Sequence, residues 1–195
     1  MDTTRVTSKL EEVRFFLDHL SDVDGVWFQR TPEAFVFYWS AFLNAGYSVT
    51  ELLGHAMAPT LRQRRFRGKT GKRVFQEWLD EWRERRLQPE ERPVWDFMCV
   101  QRGAEVHREG ATTVPETYVI PVAPPPARLS PNFALLTGFA GPPELLGATV
   151  LREAIRHNFP IGEERLEGLK ACRCYVALLE RLIDDAKAEA AAIRA

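Results

Sequence analysis

An arginine and a histidine, Arg102 and His107, lie five positions apart near the end of a predicted helix. A guanidinium stays charged at neutral pH and binds phosphate through a rigid fork of N–H donors. An imidazole gives or takes a proton in the same pH range. Together they hold the minimum chemistry for cleaving RNA without a metal ion, because one group removes the 2′-hydroxyl proton and the other stabilises charge on the attacked phosphate. The alternative is an exposed arginine beside a histidine that caps the helix.

Helix geometry limits how these two side chains can meet. A five-residue step turns an ideal helix by roughly 500°, which leaves the side chains about 140° apart around the axis and about 7.5 Å apart along it. One regular helix therefore does not present both groups to the same phosphate. Loosening of the helix near Gly103 or Gly110 is one solution, and a symmetric dimer whose two copies face each other is another.

Other catalytic and metal-binding patterns are missing from the sequence. The remaining histidines, His19, His55 and His157, are each predicted at the end of a helix, where an N–H donor or a cation stabilises unpaired carbonyl groups. The HExxH, CxxC and paired-carboxylate spacings do not occur, and neither do the glycine-rich phosphate loops or the GxSxG nucleophile motif. We therefore predict no metal site and no cofactor.

Length, charge and cysteine use place the chain in a broad class. At 195 residues it is long enough to build one domain with its own core. The net charge of −1 gives no global attraction to nucleic acid or to an anionic membrane, so any preference for anions must come from local clusters. A signal-peptide pattern, an apolar run of about 20 residues and paired cysteine spacings are all missing. These features predict a cytoplasmic protein, not membrane-bound, with reduced thiols at Cys99, Cys172 and Cys174.

One segment is strongly basic. Seven of the twelve residues over 62–73 are lysine or arginine and none is acidic, which matches the footprint of an RNA-binding surface. Within it, Phe66 is a candidate for stacking on a base, as is Trp82 beyond it, although core packing is the alternative for such aromatics. The alternative for the whole segment is a solvated loop between two helices. The predicted RNA-binding residues are Arg62, Arg64, Arg65, Arg67, Lys69, Lys72 and Arg73.

Apolar residues recur every three or four positions along most of the chain, which predicts helices. The predicted helices cover about 6–20, 31–59, 74–86 and 90–109. The second of these begins with a capping Thr31 followed by Pro32, and ends at Pro59, since proline interrupts a helix.

The second half of the chain opens with a different composition. Residues 111–143 are rich in proline and glycine. Alternating apolar side chains near Tyr118 are compatible with a short strand at most, and Pro121 would restrict that strand to a sheet edge. A short helix over about 143–158 and a long helix from about Gly162 are predicted to follow. The whole chain, 1–195, is thus predicted as one all-α domain, an up-and-down helical bundle with an irregular insertion at about 111–143.

Arg102, four intervening residues and His107, late in a helix that follows a helical hairpin, resemble the motif of the HEPN superfamily. The bulky stretch from Trp95 to Met98 and the second helix, which reads FVFYWSAFLNAGYSV, add to the resemblance. The resemblance implies a HEPN-like bundle that acts as a homodimeric, metal-independent endoribonuclease in a toxin–antitoxin or phage-defence system. Arg102 would bind the scissile phosphate and His107 would act as general acid or base. RNA, transfer RNA included, would be the substrate, and an antitoxin protein a possible partner. Family members often carry a polar residue directly after the arginine, where this chain has Gly103.

A second hypothesis is a helical module without catalytic activity. The same bundle would then bind a protein or a nucleic acid through the basic segment or through the surface of the second helix. The position of Arg102 and His107 discriminates between the two hypotheses, because an enzyme requires both groups in a shared, solvent-accessible cleft.

Overall fold

The computed structural model describes residues 1–24, 34–64, 71–106, 114–122, 150–161 and 164–194. Within these ranges the chain is mostly helical, which confirms the predicted all-α class. The helices are α1 (Thr4–Val23), α2 (Ala34–Arg64), α3 (Gly71–Arg86), α4 (Arg92–Val106) and α5 (Gly168–Arg194). A small sheet accompanies them, formed by β1 (Val114–Val122), β2 (Val150–Ile161) and β3 (Glu164–Glu167).

The helices form where the apolar spacing predicts them. On α1 the buried residues are Val6, Leu10, Val13 and Leu20, which recur at helical intervals and face the core. Helix α2 contacts α1, α3, α4 and α5, so it lies at the centre of the packing. Its largest side chains, such as Trp39 and Phe42, are fully buried, as expected of a helix that is apolar on more than one face.

The sheet is antiparallel in the order β1-β2-β3. The strand predicted near Tyr118 is confirmed as β1, which lies at the edge of the described sheet as Pro121 requires. Buried aromatic rings join the sheet to the helices, because Phe159 on β2 stacks on Trp39 with ring centroids 4.4 Å apart. The same ring also stacks on Phe97 of α4 at 5.2 Å.

One predicted helix and two predicted helix boundaries are wrong. The short helix predicted to end at Asn158 is instead strand β2 from residue 150 onward, since the β1 partner supplies a ladder of backbone hydrogen bonds. The last helix begins at Gly168 rather than Gly162, and β3 precedes it. Helix α2 continues through Pro59 to Arg64. His55 therefore lies inside α2 and does not cap its end.

Close packing at Gly46 provides a test of the helical core. A Cβ atom added at Gly46 would lie 2.6 Å from Cε1 of Tyr175 on α5, and Tyr175 is itself buried. We expect Gly46→Ala to destabilise the protein by about 1–3 kcal/mol, because the crowded methyl group forces the two helices apart. Gly103→Ala is the matched control, since no atom of the described residues lies within 4 Å of the Cβ position there. That variant should be neutral or more stable by up to about 1 kcal/mol, since alanine favours helix. Urea unfolding measures both, and equal effects would contradict the packing argument.

Candidate functional site

Arg102 lies near the end of α4 and stacks on an aromatic ring of α2. Its Cζ atom is 3.8 Å from the centroid of the Tyr47 ring, a distance at which a guanidinium gains cation–π stabilisation. Stacking occupies the face of the guanidinium and leaves the N–H donors at its planar edge for a bidentate anion.

The Nε atom of Arg102 is buried and has no hydrogen-bond acceptor in the described part of the chain. A buried donor without an acceptor costs roughly 1–3 kcal/mol. An oxyanion at the edge of the guanidinium would supply the missing acceptor. The Nε atoms of Arg83 and Arg181 also lack an acceptor among the described residues, so the stacking on Tyr47 is what distinguishes Arg102 as a candidate phosphate-binding group.

Glu51, one turn further along α2, orients the ring on which Arg102 stacks. The hydroxyl of Tyr47 donates a hydrogen bond to Oε1 of Glu51 at 2.9 Å. Donation to this carboxylate, together with partial burial, raises the pKa of Tyr47, so the phenol stays protonated at neutral pH. Sequence reasoning missed both residues. The available signal was their four-residue spacing, which places them on one face of α2.

A groove runs between α2 and α3 from this aromatic ring toward the basic segment. This α2–α3 groove has a volume of about 540 Å³ and is lined by residues that include Tyr47, Glu51, His55, Arg62, Lys72 and Phe75. Its base is tight at Gly54, where an added Cβ atom would lie 2.7 Å from the Phe75 ring. At the start of α3, a Cβ atom added to Gly71 would lie 2.6 Å from Nη2 of Arg62. The positive charge of Arg62 therefore lies beside the positive end of the α3 dipole, and α3 has no acidic residue in its first turn.

The predicted basic residues fall into four groups, and the last of these lies outside the described residues. Arg62 and Lys72 are exposed and line the α2–α3 groove. Arg73 is exposed but does not line it, and its Nε pairs with Glu77 at 3.2 Å. Arg64 is the last residue of α2, and its side chain lies outside the described part of the structure. Arg65, Arg67 and Lys69 lie outside the described residues, as does Phe66.

The second member of the predicted catalytic pair also lies outside the described residues. Helix α4 is described as far as Val106, and His107 is the next residue. Its distance from Arg102 therefore stays a prediction. Trp82, one of the two candidates for stacking on a base, is buried in the core and donates its indole N–H to Asp185 at 2.8 Å.

His157 lies in a strand, so its predicted role as a helix cap is wrong. Its backbone N–H donates to Oδ1 of Asp24 at 2.8 Å, and its ring Nδ1 lies 3.1 Å from the same oxygen. The Phe35 ring stacks on the imidazole with centroids 3.7 Å apart. Both members of the pair are buried. This arrangement fixes β2 against the ends of α1 and α2 and offers no access to a substrate.

The cysteines are unsuited to nucleophilic chemistry at neutral pH. Desolvation of the thiol raises the pKa of Cys99 to about 11 although the residue as a whole is exposed, and full burial raises the pKa of Cys172 well above its usual range. The pKa of Cys174 is raised for the same reason. All three are free thiols. A thiol must lose its proton to become a strong nucleophile, so the described structure points away from cysteine catalysis.

The described residues contain no group of three or more histidine, cysteine, aspartate or glutamate side chains arranged to hold a metal ion. Among the same residues, no helix combines the length and apolar character needed to cross a membrane. Comparison with family models, curated proteins and solved structures finds no match to this chain. The assignment of function therefore depends on the side chains themselves.

Proposed function

We propose that this chain is a metal-independent endoribonuclease of the HEPN type in which Arg102 holds the scissile phosphate. The observation that carries the proposal is the guanidinium of Arg102, stacked on Tyr47 and without a hydrogen-bond acceptor for Nε in the described ranges. A charged, planar donor held in this way suits the bidentate binding of a phosphodiester. Positive charge on Arg62 and Lys72, along the α2–α3 groove, gives a polyanion further contacts.

In the proposed reaction the 2′-hydroxyl oxygen attacks the adjacent phosphorus and the bond to the 5′-oxygen breaks. Either His107 takes the proton of the 2′-hydroxyl group and water protonates the leaving 5′-oxygen, or His107 protonates the 5′-oxygen and water takes the 2′-hydroxyl proton. In both cases Arg102 stabilises the charge that develops on the phosphate. The products are a 2′,3′-cyclic phosphate and a free 5′-hydroxyl end. We further propose a homodimer, because Arg102 and His107 diverge by about 140° on one ideal helix. In a cytoplasmic toxin or phage-defence setting, an antitoxin protein would be the partner.

Cleavage of RNA in the presence of EDTA tests this proposal. We expect the purified full chain to cleave structured or transfer RNA with EDTA present and to leave 2′,3′-cyclic phosphate ends, as resolved on denaturing gels. His107→Ala should abolish cleavage without changing the circular dichroism spectrum. Full activity in that variant would exclude the assignment.

Binding without cleavage is the second candidate function. It is favoured by the α2–α3 groove, whose two cations bind a polyanion with no contribution from His107. In that case the wild-type chain and His107→Ala would bind RNA equally and neither would cut it.

A further inference from the structure

We propose that the α2–α3 groove takes one single strand of RNA about six nucleotides long, with one phosphate bound at Arg102, which lies against Tyr47 beside one end of the groove, and others bound at Arg62 and Lys72 at the opposite end. This inference rests on the proposed function, since it assumes that Arg102 binds a phosphate. It adds the form of the substrate, its direction along α2 and a minimum length.

The spacing of residues on α2 sets the length of the strand. The groove-lining residues Tyr47, Glu51, His55 and Arg62 recur at intervals of four, four and seven, so they follow one face of the helix. At a rise of about 1.5 Å per residue, the fifteen positions from Tyr47 to Arg62 span about 22 Å. A stacked strand advances about 3.4 Å per nucleotide, so about six nucleotides cover this distance. Arg102 stacks on Tyr47 at one end, and Lys72 joins Arg62 at the other.

The width of the groove favours a single strand over a duplex. The two helices approach closely at Gly54, where only a hydrogen atom separates the backbone of α2 from the Phe75 ring. One strand can lay its backbone along the open groove between two packed helices, as in other basic grooves that bind single strands. A duplex is far broader than the roughly 8–10 Å between the axes of two packed helices, so it cannot enter the groove.

Glu51 lies one helical turn from Tyr47, between the two cationic ends but nearer to Arg102, and determines what faces that part of the groove. Its exposed carboxylate repels a phosphate but accepts hydrogen from a ribose 2′-hydroxyl group or a base amino group. The backbone phosphates are thus expected at the ends of the groove, with sugars or base edges beside Glu51. A contact to the 2′-hydroxyl group would favour RNA over DNA of the same sequence.

Binding of fluorescein-labelled oligouridylates of about 2 to 12 nucleotides tests the inference. Fluorescence anisotropy is measured on the full-length His107→Ala variant, so that cleavage does not interfere. A longer strand can occupy the groove from several starting nucleotides, so the measured affinity is divided by that number. The corrected affinity for RNA should rise with length up to about six nucleotides and then level off. Adding Arg62→Ala and Lys72→Ala should lower the affinity for the longer strands by roughly tenfold and remove their advantage over short ones. The slope of log affinity against log salt should become shallower by about 1.4, that is about 0.7 for each of two phosphates.

The matched control removes the same charges away from the groove. Arg85 and Lys187 are exposed and pair with Glu81 and Asp184 respectively. Arg85→Ala combined with Lys187→Ala should keep the length dependence and most of the affinity. Equal losses in the two double variants, affinity that does not change with length, or equal binding of a duplex competitor would each overturn the inference.

The same assay separates this inference from the proposed function. If Arg102→Ala binds as tightly as the parent while Arg62→Ala with Lys72→Ala binds weakly, the role of Arg102 is wrong and the groove alone holds the strand. If Arg102→Ala weakens binding and the groove double variant does not, the groove inference fails and the proposed function stands.

Discussion

Arg102→Ala is expected to lower the single-turnover rate of RNA cleavage by about 100-fold to 1,000-fold. Removal of one donor that stabilises transition-state charge typically costs this much. The guanidinium is half-buried and stacked on Tyr47, so it is held in place before the phosphate arrives and need not be ordered during the reaction. The measurement is the cleavage rate at saturating protein with EDTA present.

Three further variants test whether the orientation of the guanidinium matters as well as its charge. Arg102→Lys keeps the positive charge but loses the planar fork and the stacking, so we expect only partial activity. Tyr47→Leu removes the ring beneath the guanidinium and should slow cleavage. Tyr47→Phe keeps the ring and loses only the hydrogen bond to Glu51, so it should retain most of the wild-type rate. A merely structural role for Tyr47 would lower the free energy of unfolding of Tyr47→Leu together with its cleavage rate, so urea unfolding of both Tyr47 variants separates the two roles.

Arg92→Ala is the control for a lost positive charge on the same helix. Arg92 lies at the start of α4, and its Nη2 donates to the backbone carbonyl of Glu84 at 2.8 Å. Its removal should leave the cleavage rate within about threefold of wild type. An Arg102→Ala rate as high as that of Arg92→Ala, with both proteins folded by circular dichroism, would contradict the role given to Arg102.

The helices were predictable where the signal is local. Helix α1, expected over about 6–20 and found at Thr4–Val23, carries its apolar stripe in one unbroken run. Tertiary contacts overrode the local signal at Pro59. A proline inside a helix removes one backbone hydrogen bond and costs roughly 3 kcal/mol. Met57 and Leu61 on either side of it are fully buried, and burial of two such side chains offsets that cost.

Strand β2 was not predictable because its support is remote in sequence. The segment LREAIRH contains good helix formers and predicts helix from its own composition. It pairs instead with β1, so that Ala154 faces Tyr118 thirty-six positions earlier. Strand preference depends on such cross-strand partners more than on the residues of the strand itself. Local periodicity holds no information about them.

The candidate site was predictable only in part, for a related reason. Arg102 was identified from its chemical type and its spacing from His107, both of which are visible in the sequence. Its contact with Tyr47 joins two residues that are 55 positions apart on different helices, so no local sequence pattern indicates it. The basic composition of the segment 62–73 was visible in the sequence, but the groove was not. Which cations face the groove depends on how α3 packs against α2, so Lys72 and Arg73 could not be told apart beforehand.

Asp24→Ala is expected to destabilise the fold by about 3 kcal/mol. The side chain is 2% exposed, and its Oδ1 accepts the backbone N–H of His157 and faces the ring Nδ1. A methyl group would leave both nitrogens buried without an acceptor, and loss of one partner from a buried polar pair costs several kcal/mol. For a chain of this length the melting temperature should fall by about 9 °C. Urea unfolding and calorimetry at neutral pH measure the two quantities.

Asp22→Ala is the control, because Asp22 is exposed two residues earlier on α1 and should change stability by less than about 0.5 kcal/mol. Asp24→Asn keeps an oxygen that can accept the His157 N–H, so its effect should fall between those of the two alanine variants. Equal stability of Asp24→Ala and Asp22→Ala would contradict the role of this pair.

The pair also joins β2 to the helices that carry the candidate site, since Phe35 at the start of α2 stacks on the same imidazole. Tyr47 lies twelve residues further along α2, about 18 Å away at the helical rise, and is held there by its own contacts with Arg102 and Glu51. Asp24→Ala should therefore lower the fraction of folded protein on warming while leaving the cleavage rate per folded molecule unchanged. A reduced rate well below the melting temperature would mean instead that the buried pair and the Arg102 site are coupled through α2.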